Sequence, residues 1–229
     1  MSFILYIDDD MMSFLKGGHL LPKPTFFNLP QDKKDNLLHA VEKEFSRVPL
    51  YEASIANIVK TARIPRGSFY QYFKDKEDAY FYLLNEQVEE KKAKFIQSLK
   101  EYDGDLFEAV TQIFKLSIKE NPNDQGIQFL KNTFLNMTHE IEEKFNQIFN
   151  VNGTVEQFAE IKQLIDTDDL NIHNREELFH LMQIISMVIF HNLIEKYAKD
   201  LTYEEAVNNF SMKMKLLKSG LIKNNGNLH

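Results

Sequence analysis

The stretch Ser54-Ile-Ala-Asn-Ile-Val-Lys-Thr-Ala62, followed at once by Arg63-Ile-Pro-Arg-Gly-Ser-Phe-Tyr-Gln-Tyr-Phe-Lys-Asp-Lys76, decides the fold. Ser54 is an N-cap candidate, and Ile55, Ile58, Val59 and Ala62 behind it recur at i, i+3, i+4 and i+7, the apolar stripe of a short helix over 54–62. Arg63-Ile64-Pro65 breaks that helix, and Arg66 to Phe73 resumes it with Phe69 and Phe73 four apart on one face. Upstream, Leu37, Leu38, Val41 and Phe45 keep helix spacing after Pro30, which suits a first helical position, so a helix is predicted over 30–47. Two short helices joined by a few residues, apolar on their facing sides and backed by a third, make the helix-turn-helix arrangement.

The residues left outside suit a nucleic-acid groove. With Phe69 and Phe73 turned inward, Arg66, Gly67, Ser68, Tyr70, Gln71 and Tyr72 face out, and residues 30–76 hold nine cations against six anions. That window is net +3 in a chain of net −7, so the remainder carries −10. A cationic head on an anionic body permits local DNA contact and excludes a protein that coats nucleic acid over its whole surface. Arg66 can fork onto guanine O6 and N7 and Gln71 can pair with an adenine edge, each contact worth about 1–3 kcal/mol of discrimination. Ser68, Tyr70 and Lys76 are better placed to anchor phosphates and fix register. Gly67 either lets the helix backbone approach DNA or merely relieves crowding, at about 1 kcal/mol of helix propensity.

These residues resemble the N-terminal DNA-binding domain of TetR-family transcriptional regulators, strongly over about 30–85, and elsewhere only in the helical, aromatic-rich body of the expected size. The resemblance implies an all-α homodimer that binds a palindromic double-stranded DNA operator, usually to repress, and releases it when a small ligand enters the C-terminal domain. Ser54, Arg66, Gly67, Ser68, Tyr70, Gln71 and Tyr72 then stand at DNA-contacting positions, and Lys76 at that of the lysine that opens the next helix and contacts phosphate. Two positions depart from the pattern. Arg63 occupies a turn position where the family commonly has Gly, which strains the backbone or alters the turn, and Pro65 replaces the usual hydroxyl cap.

The remainder also reads as helix. One long amphipathic helix is predicted from Asp75 to about Tyr102, and apolar residues recur at helix spacing over 106–118, 127–137, 145–149, 155–165, 178–197 and 203–217. The domains expected are an N-terminal extension over 1–29, a DNA-binding domain over 30–76, a ligand-binding and dimerisation domain over 77–222 and a disordered tail over 223–229. The last two helices offer the most continuous apolar band, Ile184, Ile185, Val188, His191 and Leu193 on one and Val207, Phe210, Met214 and Leu217 on the other, which suits a dimer face shared with the intramolecular core. Phe107, Phe114, Phe129, Phe134, Phe158, Phe179, Met182 and Met187 would line a pocket for a small hydrophobic or aromatic ligand if the family resemblance holds, or simply pack a core.

Other classes find little support. The chain of 229 residues has no Cys, which removes disulfides, zinc thiolates, iron–sulfur clusters and thiol nucleophiles and suits a reducing cytoplasm. No stretch approaches about 18 consecutive apolar residues, so neither membrane span nor signal peptide is read. His180 and His191 lie about 16 Å apart along one helix and cannot share a metal within one chain. Asp166 to Glu177 echoes a calcium loop but has Leu170 and Asn171 where an oxygen ligand and the sharp-turn Gly belong. No catalytic spacing stands out, so neither enzyme nor cofactor is expected. Residues 1–20 form either an N-terminal arm or a stretch upstream of a natural non-AUG start near Leu21, Lys16-Gly17-Gly18 then being the ribosome-binding site read in frame. A helical adaptor or ligand carrier whose basic head binds an acidic protein is the alternative function.

Overall fold

The computed structural model describes residues 22–119, 125–146 and 161–221. Among them ten α-helices follow in chain order: α1 Pro24–Phe27, α2 Gln31–Arg47, α3 Ile55–Ala62, α4 Arg66–Tyr72, α5 Lys76–Glu101, α6 Leu106–Ile118, α7 Gln125–Leu135, α8 His139–Asn146, α9 Arg175–Ala198 and α10 Tyr203–Leu221, with a 3₁₀ turn at Leu50–Glu52. The fold is all-α, and the predicted helices of the head lie within a residue of those observed. The expectations for residues 1–20, Phe158 and the tail lie outside the described residues, as does most of the apolar run over 155–165.

The chain divides into two compact units between Asn85 and Glu86, inside α5. In the first, Leu37, Val41 and Phe45 of α2, Ile58 and Ala62 of α3, and Phe69 and Phe73 at α4 are all buried. Burying each large side chain is worth about 1.5–3 kcal/mol, which is what lets helices as short as α3 and α4 stand, since isolated helices below about 12–15 residues are marginal in water. Phe26 of α1 joins this core: its ring centroid lies 5.3 Å from that of Phe73 and 5.1 Å from that of Tyr82.

In the second unit α9 packs on α7 and α10, and α10 on α6. Phe114 of α6 stacks on Phe210 of α10 with centroids 4.1 Å apart. Asp105 caps α6 by accepting from the amides of Phe107 (2.9 Å) and Glu108 (3.1 Å), and its other oxygen takes the Lys218 ammonium of α10 at 2.7 Å. Burial pushes the Asp105 carboxyl up, but Lys218 and the two amides together hold it below the ordinary carboxylate value. Gly104 has φ +86°, and a Cβ there would sit 2.7 Å from the amide nitrogen of Asp166, so the turn before α6 admits only glycine. By length and composition α9 could cross a membrane, but half of its most apolar window is buried inside the chain.

Candidate nucleic-acid interface

The turn between α3 and α4 is built by backbone bonds that tolerate Arg63. The amide of Arg63 donates to the Lys60 carbonyl (3.4 Å) and that of Ile64 to the Val59 carbonyl (3.1 Å), the paired bonds of a Schellman motif. Such a motif needs a left-handed residue after the helix, and Arg63 adopts φ 55°, ψ 43°. The Ala62 carbonyl, a further orphan of the helix end, accepts from Asn36 Nδ2 of α2 at 2.7 Å. Arg63 thus takes the strained conformation where glycine would cost nothing. Pro65 precedes α4 with no side-chain cap, as its chemistry dictates.

Helix α4 presents two faces. Phe69 and Phe73 are 0% exposed, while Arg66, Gly67, Tyr70 and Gln71 are exposed and Ser68 and Tyr72 half-buried. Arg66 Nη2 donates to the Tyr70 hydroxyl (3.2 Å), and its guanidinium lies 5.8 Å from that ring's centroid, so the two side chains on successive turns form one unit. A Cβ on Gly67 would meet no atom within 4 Å. Crowding inside the head therefore does not explain this glycine.

Ser54 caps α3 by accepting from the Ala56 amide at 3.2 Å, and its own position is set by a residue the sequence did not single out. Buried Glu44 accepts from the Ser54 amide (2.9 Å), Asn57 Nδ2 (3.0 Å) and the Arg47 guanidinium (2.8 and 3.1 Å). Burial raises the Glu44 pKa, but Arg47, Ser54 and Asn57 outweigh it and hold the carboxyl below its usual value. Only the i, i+3 spacing of Glu44 and Arg47 hints at this bracket. Lys76 Nζ donates to the carbonyls of Tyr51 (3.0 Å) and Ala53 (3.2 Å), so it also ties the start of α5 to the turn before Ser54. Tyr51, a side chain that no sequence pattern marks, stands 69% exposed beside it. Lys43, Arg47, Lys60 and Arg63, with Asn57 and Thr61, line an open groove of about 440 Å³ whose one acid is the fully engaged Glu44.

In the second unit the aromatic residues close on one another. Phe107, Phe114, Phe129, Phe134 and Met182 are buried, Phe179 is half-buried, and Met187 is 56% exposed, away from that interior. Phe134, Phe145, Ile113, Leu130, Ile189 and Phe190 surround a cavity of about 20 Å³, room for about one water. The apolar band divides similarly. Ile185, Leu193, Phe210 and Met214 are buried within the chain, Val188, Val207 and Leu217 are half-buried, and Ile184 and His191 are exposed. Met212 and Leu216, one turn apart on α10 and outside the apolar band of the sequence, are 66% and 69% exposed.

The fold recurs in solved structures. SmeT, the repressor of the Stenotrophomonas maltophilia multidrug efflux pump SmeDEF, matches with TM-score 0.60 at 12% identity over 83% of this chain and 91% of its own. The fatty acid degradation regulator FadR from Bacillus halodurans matches with 0.56 at 19% identity over 81% and 96%, and FadR from Bacillus subtilis in complex with stearoyl-CoA with 0.55 at 20% over 81% and 98%. These identities show likeness of fold alone. Among curated protein sequences none matches. The family described as bacterial regulatory proteins, tetR family, matches residues 37–81, and the one described as tetracyclin repressor-like, C-terminal domain, matches residues 105–221. The first takes in the helix-turn-helix and the second the helices from α6 to α10, and on that basis the chain belongs to the TetR family of DNA-binding transcriptional regulators.

Proposed function

We propose that the protein is a repressor that holds a palindromic operator as a homodimer, one α4 in each half-site, and releases it when a small hydrophobic or aromatic molecule enters the second unit. The observation that carries this reading is the division of α4, whose Phe69 and Phe73 are locked in the head while Arg66, Gly67, Tyr70 and Gln71 are exposed to solvent. Arg66 and Gln71 read base edges, and Ser54, Ser68, Tyr70, Tyr72 and Lys76 hold the backbone. The exposed apolar side chains Ile184, Met187, Met212 and Leu216 support pairing of two copies through α9 and α10. A dimer must offer its recognition helices about 34–36 Å apart, one DNA turn.

Helix α5 belongs in part to each unit, so a ligand that tilts it shifts the heads, and it acts only if it binds the shifted state better. The interior around Phe134 and Phe145 is nearly filled, so an entering ligand displaces one of these rings. The stearoyl-CoA of the Bacillus subtilis FadR complex makes acyl chains a first class to screen. A regulator of this kind works in the cytoplasm beside the chromosome and needs neither cofactor nor catalytic residue.

Selection of duplexes from a random-sequence pool, followed by sedimentation of the complex, tests this reading. A palindromic site carrying two chains supports it. An asymmetric site bound by one chain contradicts it.

A further inference from the structure

Helix α4 lacks a C-terminal cap of its own. Its Phe69 carbonyl accepts from the Phe73 amide (2.9 Å), but the chain then leaves in extended conformation at Phe73, φ −123°, ψ 147°, with no left-handed residue to turn back onto the helix. The carbonyls of Tyr70, Gln71 and Tyr72 are thereby left without partners inside the helix. All three are taken by two residues from about fifty positions upstream. Lys23 Nζ donates to the Tyr70 carbonyl (2.6 Å), the Thr25 hydroxyl to the Gln71 carbonyl, and the Lys23 backbone amide to the Tyr72 carbonyl (2.7 Å). The Lys23 ammonium also places a positive charge against the negative end of the helix dipole. Phe26, one residue beyond Thr25 and 0% exposed, anchors this clip between Phe73 and Tyr82, and Lys34 of α2 sits 5.4 Å from its ring centroid.

We propose that Lys23 and Thr25 are positioning residues for DNA readout. They hold the last turn of α4, and so the side chains of Tyr70, Gln71 and Tyr72, at a fixed angle to the head. This rests on the reading that α4 enters the groove. The partners of the clip are backbone carbonyls, so it acts on the helix whatever side chains the helix carries. Its hydrogen bonds to the last turn are side chain-dependent at two of three points, which makes them separable from the Phe26 anchor by substitution.

The test uses the full chain with Lys23→Met, Thr25→Val and the conservative Thr25→Ser, each checked for native helicity and thermal unfolding. Binding is read by fluorescence anisotropy on a duplex selected by the wild type and on a shuffled duplex, across a salt series. Lys23→Met and Thr25→Val are expected to cut the discrimination between the duplexes by about tenfold, the loss of one good base contact, with Thr25→Ser restoring it and the salt slope unchanged. Hydrogen exchange at the Phe73 amide should quicken in the same two variants. Discrimination equal to wild type in folded variants overturns the proposal, as does a salt slope lower by about 0.9 with discrimination intact, which would make Lys23 a phosphate contact. A wild type that prefers no duplex would overturn the DNA reading and this role with it, an outcome distinct from a discriminating wild type matched by its variants.

Discussion

The Glu44 carboxylate of α2 and the backbone amide of Ser54, the N-cap of α3, are 2.9 Å apart across ten residues of chain. Three further donors, from Asn57 and Arg47, converge on the same carboxylate. A single buried acid thus sets the angle between two helices of the head.

Glu44→Gln keeps the shape and removes the charge. It should destabilise the head by about 2 kcal/mol at pH 7, the scale of hydrogen bonds to a charged group, as read by urea unfolding. The folded carboxyl titrates below the ordinary glutamate value of 4.5, so its contribution is complete above that pH and is lost as pH falls through the folded value. Wild type and variant should therefore converge in stability in strong acid. A gap that stays constant from pH 7 to pH 3 would mean that the charge is not what Glu44 contributes.

Gly67→Ala separates fold from function. Nothing within 4 Å obstructs the new methyl, so the variant should be more stable by roughly 0.5–1 kcal/mol through helix propensity. Operator affinity should nevertheless fall, because the methyl stands where the backbone approaches DNA. Thermal unfolding and anisotropy on the same preparation check both halves, and a variant that binds as tightly as wild type refutes the close approach.

Arg63→Gly should also stabilise the head, by about 1 kcal/mol, since it relieves a non-glycine residue at φ 55°. Equilibrium denaturation reads the change. Lower stability would mean that the Arg63 side chain contributes more than its backbone costs.

On α9, neighbouring residues should behave oppositely. Met187→Asp, at an exposed position, should leave the chain folded but monomeric in sedimentation, while Ile185→Asp, fully buried, should prevent folding. A folded dimer of Met187→Asp would place the pairing surface elsewhere.

The legible parts of this protein were those with local patterns. Ser54 before an apolar stripe, the Phe69/Phe73 pair and the proline breaks each mark an element within a few residues, and the head follows from them. The clip was not legible, because the Lys23 and Thr25 side chains bond backbone carbonyls 47 and 46 residues away and leave no side-chain complementarity to read. Faces of α9 were hard to assign for a different reason. Ile184, Ile185, Met187, Val188, Ile189 and Phe190 together put apolar side chains on every side of the helix, so spacing alone does not say which of them the chain buries. On α10 the spacing did favour Phe210 and Met214, which are the inward residues, and Met212 and Leu216 occupy the side it leaves out.

In the proposed function the exposed face of α4 reads DNA sequence. Fluorescence anisotropy of the wild type and Arg66→Ala, on the DNA upstream of the protein's own gene or a duplex selected from a random pool, against a shuffled duplex at fixed near-physiological salt, tests it most directly. Wild type should prefer the specific duplex by about a thousandfold or more, and Arg66→Ala should lose about tenfold or more of that preference. Equal, weak and salt-erased binding to both duplexes, or an Arg66→Ala variant indistinguishable from wild type in affinity and preference, would contradict the account.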